Sequence, residues 1–324
     1  MGYQKKKCAI QLKDGSNEQN ENWADWFGGY GTWRCCQLVR KKFDVIGYDV
    51  RNEMKEWMHE KGGFFAGKLT ELGKQCQTII CFVVNDEQTE NVLFGEDGLV
   101  SSMLPGSVFI ACSTMSPGYV SSLGSRLAEK GIELIDSPVT GGAAGAAKGT
   151  LTVISAGKKE IYDQIKPVLE TFGSKLFFVS ERHGAGSQLK VINQLLCGVH
   201  LAAAGEALAL AGRQGLPLDI THQVLCSGAA FSWMLGDRGS RMTADQFSDV
   251  TSAVDIFVKD LGLVLESAKK AKFSAPLASV AFNAFIDVSG RGMGAWDDSA
   301  VICHYSRDPY SGPINFSEKN KELR

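Results

Sequence analysis

The chain carries almost no net charge: 34 lysines and arginines stand against 36 acids in 324 residues, a balance of −2. Without a basic field, nothing would draw it to nucleic acid or to an anionic membrane surface. Its nine cysteines include no C-x-x-C spacing, and their odd number leaves one unmatched, so free thiols in a reducing, cytoplasmic setting fit better than a disulfide frame. Among five histidines, His59, His183, His200, His222 and His304 show no i, i+4 pairing with one another and no cluster with carboxylates, so no metal site is expected. The basic start, Met1-Gly-Tyr-Gln-Lys-Lys-Lys7, leads into too short an apolar run for a signal peptide. No membrane span is expected later, because the apolar stretch after Lys190 is interrupted by His200 and Glu206. Internal repeats are absent as well.

What is present is a globular composition, 44% apolar and 22% charged, in a chain long enough for two domains with sizeable cores. In the first half, β-rich runs at 43–49, 78–84, 107–112, 131–136, 151–155 and 175–179 alternate with helical stretches at 32–42, 87–94, 117–130 and 158–172. Such alternation predicts an α/β fold with a doubly wound, mostly parallel, Rossmann-type sheet. After His183 the period becomes helical throughout, at 185–214, 218–228, 253–272 and 276–291, which predicts an all-helical second domain. The expected boundaries are 1–182 for the α/β domain, 183–305 for the all-helical domain, and 306–324 for a loose polar tail.

Two segments bear chemistry. The stretch from Asp136 to Leu151 contains Thr140-Gly141-Gly142, where consecutive glycines expose N–H groups to a small anion such as a carboxylate. The stretch from Gly184 to Gln194 puts one amine, Lys190, beside two carboxamides, Asn193 and Gln194. With Cys197 they fall three, four and seven residues apart, on one face of an otherwise apolar helix. A polar stripe there requires a polar partner.

A dinucleotide fingerprint is present in altered form. The turn that should read G-x-G-x-x-G reads Trp26-Phe-Gly-Gly-Tyr-Gly31, keeping Gly28 and Gly31 but placing tryptophan at the first glycine. Gly28 would let backbone approach a pyrophosphate, and Gly31 would let the next helix lie close on the sheet. Asp49 follows Gly28 by 49 − 28 = 21 residues, where an acid accepts from a ribose 2′-hydroxyl and repels a 2′-phosphate. This favours NAD over NADP, with Arg51 able to compensate in part, so NADP remains possible. The polar segment before Trp26 leaves two alternatives: either residues 7–12 form the first strand and a long insertion follows, or that strand is missing.

Taken together, the segments resemble the β-hydroxyacid dehydrogenase family, which includes 3-hydroxyisobutyrate dehydrogenase and tartronate semialdehyde reductase. The likeness runs from about Trp26 to Ile302 and is nearest to the L-threonate dehydrogenase group, through His183-Gly-Ala-Gly-Ser, Ser232-Trp-Met234, residues 252–263 and residues 297–302. The resemblance implies that Thr140, Gly141 and Gly142 hold a substrate carboxylate, with Thr in place of the family's Ser. It implies that Lys190 is the catalytic lysine of a G-x-x-x-K-x-x-N-N motif begun by Gly186, with Asn193 and Gln194 binding substrate and Gln replacing the second Asn. Ser113 and Thr114 match a Ser-Thr pair near substrate and nicotinamide, Val84 and Asn85 match the adenosine-ribose edge, and Lys259 lies near the cofactor.

The implied activity is hydride transfer between NAD(P) and a small hydroxy acid, a four-carbon sugar acid such as L-threonate, with Lys190 moving the proton. That role requires an amine less basic than a free lysine, through burial or a neighbouring cation, for which Lys259 is a candidate; a plain surface ion pair between Lys259 and Asp260 is the other reading. Trp233 and Phe231 could shape the pocket, although core packing is the commoner use of such aromatics. The small residues Gly198, Ala202, Ala203 and Ala204 suggest close helix packing in a homo-oligomer. A catalytically silent homologue, with dinucleotide binding impaired at Trp26, stands as the alternative.

Overall fold

The computed structural model describes residues 7–11, 37–51 and 53–305. Two compact units divide the chain, Met1–Lys190 and Val191–Arg324.

The described residues of the first unit form one sheet of nine strands: β1 (Lys7–Gln11), β2 (Asp44–Tyr48), β3 (Phe64–Phe65), β4 (Thr78–Cys81), β5 (Val108–Ala111), β6 (Glu133–Asp136), β7 (Val139–Thr140), β8 (Leu151–Ala156) and β9 (Gly173–Ser180). Six of them run parallel in the order β3-β2-β1-β4-β5-β6. Beyond β6 the direction reverses, since β8 is antiparallel to both β6 and β7 while β9 runs parallel to β8. The doubly wound sheet expected from the sequence is therefore present, with a mixed edge.

Strand β1 lies between β2 and β4, Lys7 opposite Asp44 and Cys8 opposite Thr78. Residues near the chain start thus supply the first strand, and the alternative in which it is missing is overturned. Trp26, Gly28 and Gly31 fall in the connection after β1, outside the described residues. The same holds for Cys35, Cys36 and the tail at 306–324.

Central strands read as unbroken apolar runs because both faces are covered. Along β5, Val108 and Ile110 join one core cluster with Val45, Ile80 and Met58, whereas Phe109 and Ala111 join the other with Ile46, Ile79 and Leu134. This is the two-residue period of a strand with helices on both sides. Helices α1 (Glu53–Glu60), α2 (Leu69–Gln75), α3 (Asp86–Phe94), α4 (Pro117–Ala128), α5 (Gly142–Lys148) and α6 (Lys159–Leu169) provide the cover. Met54 and Met58 of α1 and Tyr162, Ile165 and Leu169 of α6 pack on one face; Leu72 of α2, Val92 of α3 and Val120, Leu123 and Leu127 of α4 pack on the other. Each such fully buried side chain contributes about 1.5–3 kcal/mol.

The helix α7 (Ala185–Arg213) carries the unit boundary, at Lys190. The second unit continues with α8 (Leu218–Cys226), α9 (Trp233–Thr243), α10 (Val254–Lys270) and α11 (Pro276–Val288), and its described residues close with a 3-10 segment, Asp298–Tyr305. Its core joins Leu201 and Leu208 of α7 to Phe257, Leu261 and Val264 of α10 and to Phe285 and Val288 of α11. Phe257 and Phe285 stack with ring centroids 4.9 Å apart. By length and composition α7 is long and apolar enough to cross a membrane, so His200 and Glu206 interrupt it less than expected from sequence; part of its apolar surface is buried in this helical core.

The small residues serve that core. A Cβ on Gly198 would meet the Leu261 side chain at 2.8 Å, and Ala202 and Ala204 are buried. The opposite side of the helix leaves Leu189, Ile192, Leu196 and Leu210 between 41% and 58% exposed. Phe231 and Trp233, expected more readily in the core, are about half exposed instead. Two ion pairs, the first buried and the second partly so, tie α9 to residues 297–298: Arg238 Nε donates to Asp298 Oδ1 at 2.6 Å, and Arg241 Nη1 to Asp297 Oδ2 at 2.6 Å.

Candidate active site

In the first unit, the described residues singled out by sequence lie at the carboxyl ends of parallel strands or just beyond them. Asp49 follows β2, Val84 and Asn85 follow β4, Ser113 and Thr114 follow β5, and Thr140 ends β7 shortly after β6. Strand order reverses around β1, and this edge beside such a reversal is where open α/β sheets hold ligands.

Local hydrogen bonding shapes that edge. Asn85 caps α3, its side-chain oxygen accepting from Gln88 N at 2.9 Å, while Gln88 Oε1 accepts from Val84 N at 2.8 Å. The reciprocal pair satisfies two backbone donors and fixes the bend after β4. Asp49 is buried, its carboxylate held by Arg51: Oδ1 accepts from Arg51 N at 2.9 Å and Nε at 2.8 Å, and Oδ2 from Nη2 at 2.7 Å. Ser113 is 4% exposed, and its hydroxyl has no hydrogen-bond partner among the described residues. A buried hydroxyl without a partner is costly, and a polar ligand group arriving at the strand end would relieve it. Ser116 is the N-cap residue of α4, before Pro117 at its first position, and makes no side-chain cap bond; its backbone N donates to Asp86 Oδ1 at 3.2 Å.

The glycine pair has a backbone reason. Gly141 adopts φ 123° and Gly142 φ 67°, and a Cβ on Gly141 would stand 3.2 Å from Leu151 Cδ2. Only glycine takes that turn from β7 into α5 without strain. Thr140 is held in register opposite Thr152.

Seating of Lys190 depends on a residue the sequence left without a role of its own. Asp136, at the end of β6, is buried, and its carboxylate accepts from Ser187 N at 2.8 Å and Ser187 Oγ at 2.7 Å. Backbone N–H groups of Gly186 and Gly184 bond to it as well. The carboxylate thus satisfies first-turn donors of α7 and complements the positive end of its dipole. Burial nevertheless dominates and pushes the Asp136 carboxyl up to about 6. Close docking requires Gly186, where a Cβ would lie 2.8 Å from Ile154 O and 2.9 Å from Asp136 O. Lys190 follows Ser187 by three residues on the same helix face and is only 6% exposed. An amine that buried is a group in a prepared environment rather than a solvated side chain.

In the second unit, the two carboxamides form a chain. Asn193 Nδ2 donates to Gln194 Oε1 at 2.9 Å, and Gln194 Nε2 donates to Asp260 Oδ2 at 2.5 Å. Asp260 is 2% exposed and pairs with Lys259 Nζ at 2.7 Å. The Lys259–Asp260 pair is therefore not a plain surface contact, because its carboxylate also orients Gln194. Nothing in the spacing pointed to Asp260, which stands sixty-six positions from Gln194. No group of three or more potential metal ligands occurs among the described residues.

Comparison with known proteins follows the same lines. Residues 28–180 match the NAD-binding domain of 6-phosphogluconate dehydrogenase, and residues 184–305 match the NAD-binding region of NADP-dependent 3-hydroxyisobutyrate dehydrogenase. An L-threonate dehydrogenase of Cupriavidus necator is 42% identical over 275 residues, 85% of this chain and 92% of that protein. The chain belongs to the β-hydroxyacid dehydrogenase family. As a member of it, the protein is an NAD(P)-dependent hydroxy acid oxidoreductase, and the reading as a silent homologue gives way. A second β-hydroxyacid dehydrogenase relative, the L-threonate dehydrogenase of Pectobacterium atrosepticum, is 39% identical over 85% of this chain and 90% of its own length. The crystal structure of a 3-hydroxyisobutyrate dehydrogenase from Salmonella typhimurium matches with a TM-score of 0.83 and 36% identity, covering 92% of this chain and 99% of that one.

Proposed function

We propose that the protein oxidises a four-carbon sugar acid of the L-threonate type, with Lys190 as proton carrier. The single observation that carries the reading is the Asp136–Ser187 clamp, which holds the first turn of α7 so that a buried Lys190 follows on the same face. The names of relatives at 39% and 42% identity supply the substrate class.

In this reading Thr140 Oγ1 and the N–H groups of Gly141 and Gly142 bind the substrate carboxylate, while Asn193 and Gln194 hold a hydroxyl. Ser113 and Thr114 border substrate and nicotinamide; Gly28, Gly31, Asp49, Val84, Asn85 and Lys259 hold the dinucleotide. When bound, NAD(P) supplies the hydride acceptor or donor. Lys190 Nζ, neutral in the oxidation direction, takes the hydroxyl proton as the carbon–oxygen bond becomes a carbonyl, and its ammonium returns that proton in reduction.

The protein is read as a cytoplasmic homo-oligomer. Its second unit supports the oligomer through the exposed apolar side of α7 and through α8, which buries no residue and leaves Ile220 and Val224 55% and 62% exposed.

The test is turnover of a panel of small hydroxy acids with NAD+ and NADP+, followed by reduced-nicotinamide absorbance. L-threonate should give the largest kcat/KM. Lys190→Ala should keep dinucleotide affinity and lower turnover at least about a hundredfold. Unchanged turnover in that variant would remove Lys190 from the mechanism.

A further inference from the structure

A histidine outside the proposed chemistry stands at the entrance to α7. His183 is partly buried and immediately precedes Gly184 and the first turn that Asp136 clamps. Its ring occupies a notch in α4: a Cβ on Gly124 would fall against Nδ1 and stand 2.6 Å from Cγ and 2.9 Å from Cε1. Gly124 is buried inside a helix of twelve residues, where glycine is a poorer choice than alanine. The ring accounts for that choice, because it fills the space of a side chain. On its other side the imidazole bonds the Leu134 backbone of β6, two residues before Asp136. A carbonyl only accepts, so the ring donates there. Nε2 is buried with no partner among the described residues, and a second proton placed on it would find no acceptor. Burial holds the imidazole below its ordinary value, against the Leu134 bond and Glu133, so the ring is neutral near pH 7.

This seat bears on the direction of α7. Asp136 meets Gly184, Gly186 and Ser187 with one carboxylate, which fixes a point on the helix and leaves its tilt open. The His183 ring adds a second point on the same strand and ties it to α4. Between the two points the chain has little choice of path, since Gly184 takes φ 85° and a Cβ there would stand 2.5 Å from Pro117 O. Lys190 lies seven residues beyond His183, about 10 Å along a helix axis. A tilt of about 6° at the entrance would therefore move the amine by about 1 Å, and a misplacement of that size can cost about a hundredfold in rate.

We propose that His183 is a positioning residue, a neutral wedge between α4 and β6 that sets the direction of α7 and, through it, the place of the Lys190 amine. Its effect on turnover rests on the reading of Lys190 as proton carrier; its effect on where that amine sits does not.

Two measurements on the full chain separate these effects. The first needs no activity. Acetylation of Lys190 by acetic anhydride, located by peptide mass spectrometry, is slow for an amine only 6% exposed and should speed up at least about tenfold in His183→Ala. In the second, kcat at saturating hydroxy acid and dinucleotide should fall at least about tenfold in that variant, with the dinucleotide Kd within about threefold of wild type. The notch in α4 supplies a control for folding. Gly124→Ala should lower the melting temperature of the wild type, because the new methyl group strikes the ring. In His183→Ala the same substitution should raise it, since the ring is gone and alanine favours a helix. A fall of equal size in both backgrounds overturns the proposal, and so does unchanged acetylation of Lys190 in His183→Ala. A role confined to stability would lower the melting temperature and leave acetylation and kcat of the folded protein where they were. Faster acetylation with an unaltered kcat upholds the wedge and removes Lys190 from the chemistry instead. Should the wild type turn over no hydroxy acid, the reading of Lys190 fails, while acetylation and the Gly124→Ala pair still decide on His183.

Discussion

Replacing Asp136 by asparagine should make the stability difference from wild type depend on pH in one direction only. The folded-state carboxyl is pushed up to about 6 from an ordinary 3.8, a gap of about two units, or about 3 kcal/mol as an upper bound. Because the folded pKa lies above the unfolded one, the folded chain holds the proton longer. Between about pH 4 and 6 it binds more protons than the unfolded chain, and stability falls as pH rises through that window. Asparagine does not titrate. It also turns one N–H toward donors from Ser187, Gly186 and Gly184 that a carboxylate oxygen had satisfied, a cost of about 1–3 kcal/mol at any pH. The advantage of wild type over Asp136→Asn should therefore be greatest near pH 4 and shrink by up to about 3 kcal/mol by pH 7. Urea unfolding of both proteins across this range measures it, and Asp298, also raised to about 6 by burial, titrates in both and cancels. An advantage that grows with pH would mean that hydrogen bonds outweigh burial at Asp136, and the reasoning would be refuted.

Two further outcomes are expected. Arg238→Ala leaves Asp298, which is 0% exposed and loses its 2.6 Å partner, as an uncompensated buried charge; thermal melts at pH 7 should show a loss of about 3–5 kcal/mol, smaller at pH 5 where the acid takes up a proton. Ile192→Asp, on the exposed apolar side of α7, should shift sedimentation velocity from oligomer to monomer without altering far-UV circular dichroism. An unchanged sedimentation coefficient would place any interface elsewhere.

Much of the fold was legible because burial on both faces forces a plain pattern. Val108–Ala111 and Thr78–Cys81 read as strands since nearly every position is apolar, and α7 read as one helix because its helical period continues past Gly186, Gly198, Gly205 and Gly212 and no proline interrupts it. Short elements escaped: β3 and β7 have two residues each, and α5 is mostly alanine and glycine, with no periodicity to detect. The mixed edge was illegible because strand direction is not encoded in hydrophobicity. At the candidate site, Lys190, Thr140 and the glycine pair were singled out through motif spacing, whereas Asp136 and Asp260 act on partners distant in sequence, Ser187 and Gln194. A carboxylate that clamps another element looks, in sequence, like any other acid. The polarity before Trp26 obscured β1 for a different reason, namely that strand and fingerprint turn are normally adjacent and here stand apart.

That separation has a bearing on how little of the N-terminus can be dispensed with. A shortened chain starting at Gly28 would retain every position that matches the dinucleotide-binding family, yet it would open a strand-wide gap in the middle of the sheet. Asp44–Tyr48 and Thr78–Cys81 would each present a bare ladder of amides and carbonyls to the gap. Five residues ahead of the segment that matches the dinucleotide-binding family model hold the two halves of the sheet together.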